Sequence, residues 1–194
     1  MKDDWSNPSP DPVSDPGTAI EDVVDGLAQL SRDELSPAQF LRELVTQAIQ
    51  TLAARGAAVW KQAADGSFIR EQELAVGVEW PPIDPPWHAL LLTETLAAGQ
   101  SRLVPPDHGS PGAQAKNPGP NLLLLNPWSV DSQMQGVLEI VLRPEADPAA
   151  WQGYAQFGGA LAELIADFHR QRHRPKYLPN CQHLFQPFHQ SKGR

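Results

Sequence analysis

Few side chains in this chain are spaced for chemistry. Cys181, His183 and His189 form C-x-H with a second histidine after five more residues. That spacing matches no structural zinc pattern, so no metal site is assigned. His88 follows Trp87 at a helix start, and His108 sits in a proline- and glycine-rich loop. Neither has a Ser, Cys or Asp partner at motif spacing, and no G-x-S-x-G or H-E-x-x-H occurs. Gly109-Ser110-Pro111-Gly112 reads as a turn, and no phosphate loop follows a strand. No catalytic residue and no cofactor is therefore expected, and an enzyme on this framework lacks a visible nucleophile–base pair; loss of a turnover on mutating His88 would revive that reading. What is left is a small-molecule pocket of aromatic walls with polar tips, for which Trp80, Trp87, His88 and Trp128 are the candidates. The plain alternative is that these tryptophans fill a core.

Those residues must be positioned by a few strong elements, and the strongest is Gln135–Arg172. Val137, Leu138, Ile140, Val141 and Leu142 form a nearly continuous apolar run rich in β-branched residues, which a covered strand requires. Glu139 interrupts it. In strict alternation it shares a face with Val137 and Val141, so it must lie at a sheet rim, be paired, or meet a ligand. Arg143-Pro144 ends the strand. Asp147-Pro148 predicts an N-cap and first helical residue. Trp151, Tyr154, Phe157, Leu161, Leu164, Ile165 and Phe168 then trace one helix face. A second stripe is small: Ala155, Gly158, Gly159, Ala162 and Ala166. Two adjacent helical glycines cost roughly 1 kcal/mol each relative to alanine, so some backbone approaches closely there. Either the stripe packs on the domain's own sheet, or it is a helix–helix contact in a homodimer.

Composition narrows the partners. The chain has 194 residues, a formal net charge of −8 and a pI near 5.1. That charge argues against nucleic acid or an anionic membrane surface. One cysteine excludes an internal disulfide framework and suits a reducing compartment. No apolar run reaches the roughly 20 residues of a bilayer span, and the start MKDDWSNPSPDP does not read as a signal peptide. The cytoplasm is the expected location, with no membrane insertion.

From the N-terminus, residues 1–17 are acidic, proline-rich and read as a disordered tail. Thr18 to Glu21 is a capping box opening a short helix to about Leu30, within a helix-and-linker segment 18–35. Ser36-Pro37-Ala38-Gln39 opens a second, whose stripe Phe40, Leu41, Leu44, Val45, Ala48, Ile49 and Leu52 ends at Gly56. A hairpin follows, AAVWKQ and FIREQEL around Asp65-Gly66, the second strand polar enough to be an outer one. Trp87 to Ala98 predicts a shorter helix and Ser101–Val104 a brief strand. Pro105–Pro120 is a loop long for a compact domain, which makes it either functional or mobile. Asn121–Val130, with four leucines in a row, pairs with the Gln135 strand as a second hairpin. The folded domain is placed at 36–174 and a C-terminal tail at 175–194.

This order of elements, carried by the Phe40–Leu52 helix running into AAVWKQ, by NLLLLNPWSV, and by QGVLEIVLRP with its helix, resembles the GAF family over roughly residues 36–172. The resemblance implies an α+β fold with a central antiparallel sheet of five to six strands. The first and last helices pack on one side, and shorter helices and loops on the other form a ligand pocket. It implies a non-catalytic regulatory or signalling domain of bacterial type that binds a small molecule, dimerises, or passes a signal to a partner protein. A looser similarity to GAF domains attached to bacterial secretion adaptor proteins supplies the alternative, a ligand-free interaction scaffold of a transport or secretion system. Family chemistries that need particular residues find none. Bilin attachment and the GAF-type methionine sulfoxide reductases need cysteines, and residues 1–180 have none. The cyclic-nucleotide signature Asn-Lys-x-x-x-Phe-x-x-x-Asp-Glu is missing.

Overall fold

In a computed structural model, residues 16–32, 35–77, 86–109 and 115–173 are described. Residues 1–15, the C-terminal tail and Trp80 lie outside them, while Pro16 and Gly17, expected in the disordered tail, are already helical, so the first helix starts before the expected Thr18 cap. Helix α1 spans Pro16–Arg32 and α2 Pro37–Leu52; strands β1 (Gly56–Gln62) and β2 (Phe68–Ala75) form the first hairpin. Helix α3 (Pro86–Ala98) and strand β3 (Arg102–Val104) precede the second hairpin, β4 (Leu122–Val130) and β5 (Gln133–Leu142), and α4 (Trp151–His173) closes the domain. Every strand pairing is antiparallel, in the order β2-β1-β5-β4-β3. The result is the expected α+β architecture with a five-stranded sheet. Among the described residues no helix is long and apolar enough to cross a membrane.

Local chemistry explains the boundaries. Ser36 caps α2 by accepting from the Gln39 backbone, while the Gln39 side chain accepts from the Ser36 N–H. Asp147 caps as expected by accepting from Ala149 N at 2.9 Å, but its first turn is a 3-10 turn, Pro148–Ala150, before the α-helix begins at Trp151. The tight β4–β5 turn places Asp131 at φ 49° and Ser132 at φ 64°, the left-handed pair a two-residue hairpin loop needs. Pro127 is tolerated inside β4 because β3 pairs only with Leu123–Leu125, so nothing beyond needs its missing N–H. The long loop is tied by Asn117, 1% exposed, whose amide donates to the carbonyls of Val104 and Asn121 at 3.0 and 2.7 Å.

Period-two alternation divides the apolar residues between two cores. On one face Ala57, Val59, Leu122, Leu124, Leu138, Ile140 and Leu142 pack under α2 and α4. Helix α1 belongs to this layer, with Leu27 fully buried and Ile20, Val23 and Leu30 against it, so the packed unit begins before residue 36. On the other face Ala58, Trp60, Leu123, Leu125, Val137 and Val141 meet Leu91, Leu92 and Leu96 of α3. All four consecutive leucines of β4 are buried because both faces are covered.

Candidate functional site

Glu139 lies on the middle strand of the sheet, directly between Ala58 of β1 and Leu125 of β4, and points to the α3 face. It is wholly buried. Of the alternatives open to it, the structure selects pairing. The indole Nε1–H of Trp60 donates to Oε2 at 2.7 Å. His88 Nε2, from the first turn of α3, lies 3.1 and 3.0 Å from Oε1 and Oε2. That geometry suits one N–H shared between the two carboxylate oxygens. The small Ala58 opposite leaves room above the carboxylate for both rings, which meet edge to face with centroids 5.1 Å apart. Trp87 flanks His88 at 5.3 Å, and the Arg70 guanidinium stands 5.4 Å over Trp60. The cluster is a carboxylate with two converging N–H donors inside an apolar wall.

Of the four pocket candidates, His88 and Trp87 belong to this cluster, and Trp80 lies outside the described residues. Trp128 is corrected: alternation turns it to the opposite face, under α4, where it stacks on His169 with centroids 4.8 Å apart. Gly136, its cross-strand partner, permits this, because a Cβ there would sit 2.7 Å from the Trp128 ring and 1.9 Å from the Trp60 carbonyl oxygen. Trp128 lines a separate 390 Å³ cleft with Gly99, Met134 and Arg170. The small-residue stripe is likewise packed within the chain. Gly158, Ala162 and Ala166 are buried, with Ala155 and Gly159 half-buried, and a Cβ on Gly158 would lie 2.5 Å from Asn126 of β4. Gly158, Ala162 and Ala166 thus pack within the chain, whereas Ala155 and Gly159 remain partly exposed.

Two features were missed from sequence. Trp60 carries the shortest bond to Glu139 but lay in a strand where nothing marked its indole as a donor. Asn126 is fully buried with neither amide atom hydrogen-bonded. A lone Asn after four leucines was the available signal. At the far end of the sheet, His169 Nε2 lies 3.4 Å from Glu71, which also faces Lys61 at 3.8 Å. Burial pushes the Glu71 pKa up, but the close approach of His169 and Lys61 outweighs it and holds the carboxyl below its ordinary value. Among the described residues no three His, Cys, Asp or Glu side chains cluster as a metal site; Cys181, His183 and His189 lie outside them.

No protein-family model and no curated protein matches the sequence. Solved structures do match. The chain is similar to the GAF domain of nlh2 from A. Aeolicus in an inactive state, with 14% identity, 81% of this chain and 99% of that one covered, and a TM-score of 0.65. It is similar to free methionine-R-sulfoxide reductase from Neisseria meningitidis in complex with its substrate, at 15% identity, 82% and 93% coverage, and TM-score 0.63. A third likeness is to the phytochrome photosensory core module of Stigmatella aurantiaca, at 13% identity and TM-score 0.56, covering 78% of this chain and 36% of that one. At these identities the likeness establishes the GAF fold alone.

Proposed function

We propose that this chain is a non-catalytic GAF-fold regulatory domain that senses a small molecule at the α3 face of its sheet. One observation carries the reading: a fully buried carboxylate, Glu139, placed at the centre of that face with two N–H donors converging on it. A domain that needed only a core would gain by replacing such a group, because buried ionic clusters are often matched or bettered by well-packed apolar residues. Polar groups converging in an otherwise apolar wall are instead what recognition of a small molecule requires. The non-catalytic part rests on the cluster's chemistry and on the lack of any cysteine in residues 1–180, although a reductase shares the fold. The signal would leave through α4 to a partner protein.

A second reading is favoured by the same cluster: its hydrogen bonds are made within the chain, as in a ligand-free interaction scaffold. Native mass spectrometry of the freshly purified full chain, with thermal shift against a metabolite panel, separates the two. A retained mass of a few hundred daltons, or a rise in Tm that is lost in Glu139→Gln, is expected. A bare protein that no metabolite stabilises would overturn the sensor and leave the scaffold.

A further inference from the structure

We infer that Glu139 and Trp60 form a binding site for a small N–H donor, an imidazole or a protonated amine, and that His88 is its tethered occupant. The inference rests on the sensor reading and names the ligand class of that site. Three observations support it. The Glu139 carboxylate is fully buried, and its side-chain hydrogen bonds come from one fixed donor, Trp60 Nε1, and one delivered donor, His88 Nε2. Trp60 is held by strand β1 in the sheet itself, whereas His88 is only the third residue of α3. First helical turns open at low free-energy cost compared with a sheet, so His88 can leave while Leu91, Leu92 and Leu96 keep the rest of α3 docked. The wall chemistry is the third. A carboxylate beneath an indole edge, closed by Trp87, is an arrangement that selects a flat or cationic N–H donor over a neutral apolar one.

A tethered side chain competes at an effective concentration of about millimolar or more. A free ligand must therefore outcompete His88, and its binding would release the first turn of α3, which is a signal. Removing the side chain should unmask the site.

The test uses the full chain carrying His88→Gly and the probe 4-methylimidazole, the excised side chain, with 4-methylthiazole as an isosteric probe without the N–H. Calorimetry should show saturable 4-methylimidazole binding to His88→Gly, at least tenfold tighter than 4-methylthiazole. The affinity should fall at least tenfold in His88→Gly/Glu139→Gln, and by about a hundredfold in the native chain, where His88 competes. The Trp60 indole proton should shift on binding. If His88→Gly fails to fold alone, 4-methylimidazole should restore its native spectrum through binding linkage, and 4-methylthiazole should not. Equal binding of the two probes, indifference to Glu139→Gln, or failure of 4-methylimidazole to bind or refold the variant would overturn the inference. A native chain that retains no metabolite while His88→Gly binds 4-methylimidazole would remove the sensor reading and keep the site.

Discussion

Substituting alanine for Gly158 sets two effects of known sign against each other. In a helix interior the change gains about 1 kcal/mol of backbone propensity. Here the new methyl would lie 2.5, 2.7 and 2.8 Å from Nδ2, Oδ1 and Cγ of Asn126, and Asn126 is fully buried, so it has no route into solvent. Overpacking of this kind costs about 1–3 kcal/mol. The expected net result is a loss of roughly 1 kcal/mol, with a Tm lower by about 2–4 °C for a chain of this length. The decisive comparison is Asn126→Ala, which removes the obstacle along with its unbonded amide. In that background Gly158→Ala should stabilise by about 1 kcal/mol, a coupling of roughly 2 kcal/mol. Urea unfolding of the native chain, both single variants and the double variant measures all four midpoints at once. Equal stabilisation by Gly158→Ala in both backgrounds would refute the reasoning, because it would mean that no backbone or side chain lies close to that face of α4.

Ser132 holds φ 64° in the β4–β5 turn, so Ser132→Gly should stabilise by about 0.5–1 kcal/mol; an unchanged urea midpoint would show that the turn is unstrained. Trp60→Phe removes one of the two donors to Glu139 and leaves a cavity where the fully buried indole stood, so it should cost at least about 1–3 kcal/mol; chemical denaturation reads it, and a negligible change would mean that the indole bond adds nothing. Glu71 has a depressed folded pKa, so it contributes stability above its ordinary value of 4.5 and loses that contribution as pH falls through the lower folded value. The carboxyl is partly exposed, so the effect is modest. The stability difference between the native chain and Glu71→Gln should hold from neutrality down to about 4.5 and shrink as the pH falls further, and a difference that stayed constant below 4.5 would contradict the pairing with His169.

The fold was legible because local signals agreed with one another. The capping box at Ser36, the Phe40–Leu52 stripe and the four leucines of β4 each have one physical solution, and those solutions are compatible. Glu139 was legible as an anomaly, since a carboxylate in a five-residue apolar run needs a partner. Which partner was not legible, because Trp60 and His88 lie 79 and 51 residues from it in sequence and meet only through sheet pairing and the docking of α3. Trp128 was assigned to the wrong face because nothing in NLLLLNPWSV says which half of the alternation belongs to which core when both faces are apolar. The small-residue stripe showed that something came close to α4, but glycine and alanine permit an approach by any neighbour and do not name it.

The sheet's pairing order also bears on synthesis. Trp60 of β1 meets its neighbours on β5 only after a further 79 residues, so the β1–β2 hairpin emerges from the ribosome with its inner edge uncovered. At about 5–20 residues per second the wait is on the order of 4–16 s. During it, the exposed edge is the apolar run Ala57–Trp60, a template for pairing with another nascent chain. Arrival of β5 closes that edge and supplies the floor on which α3 and, once it too is made, α4 complete the two cores. Truncation before Leu142 should therefore yield aggregates instead of a smaller folded species, and the last strand to be made determines whether any of the earlier ones are soluble.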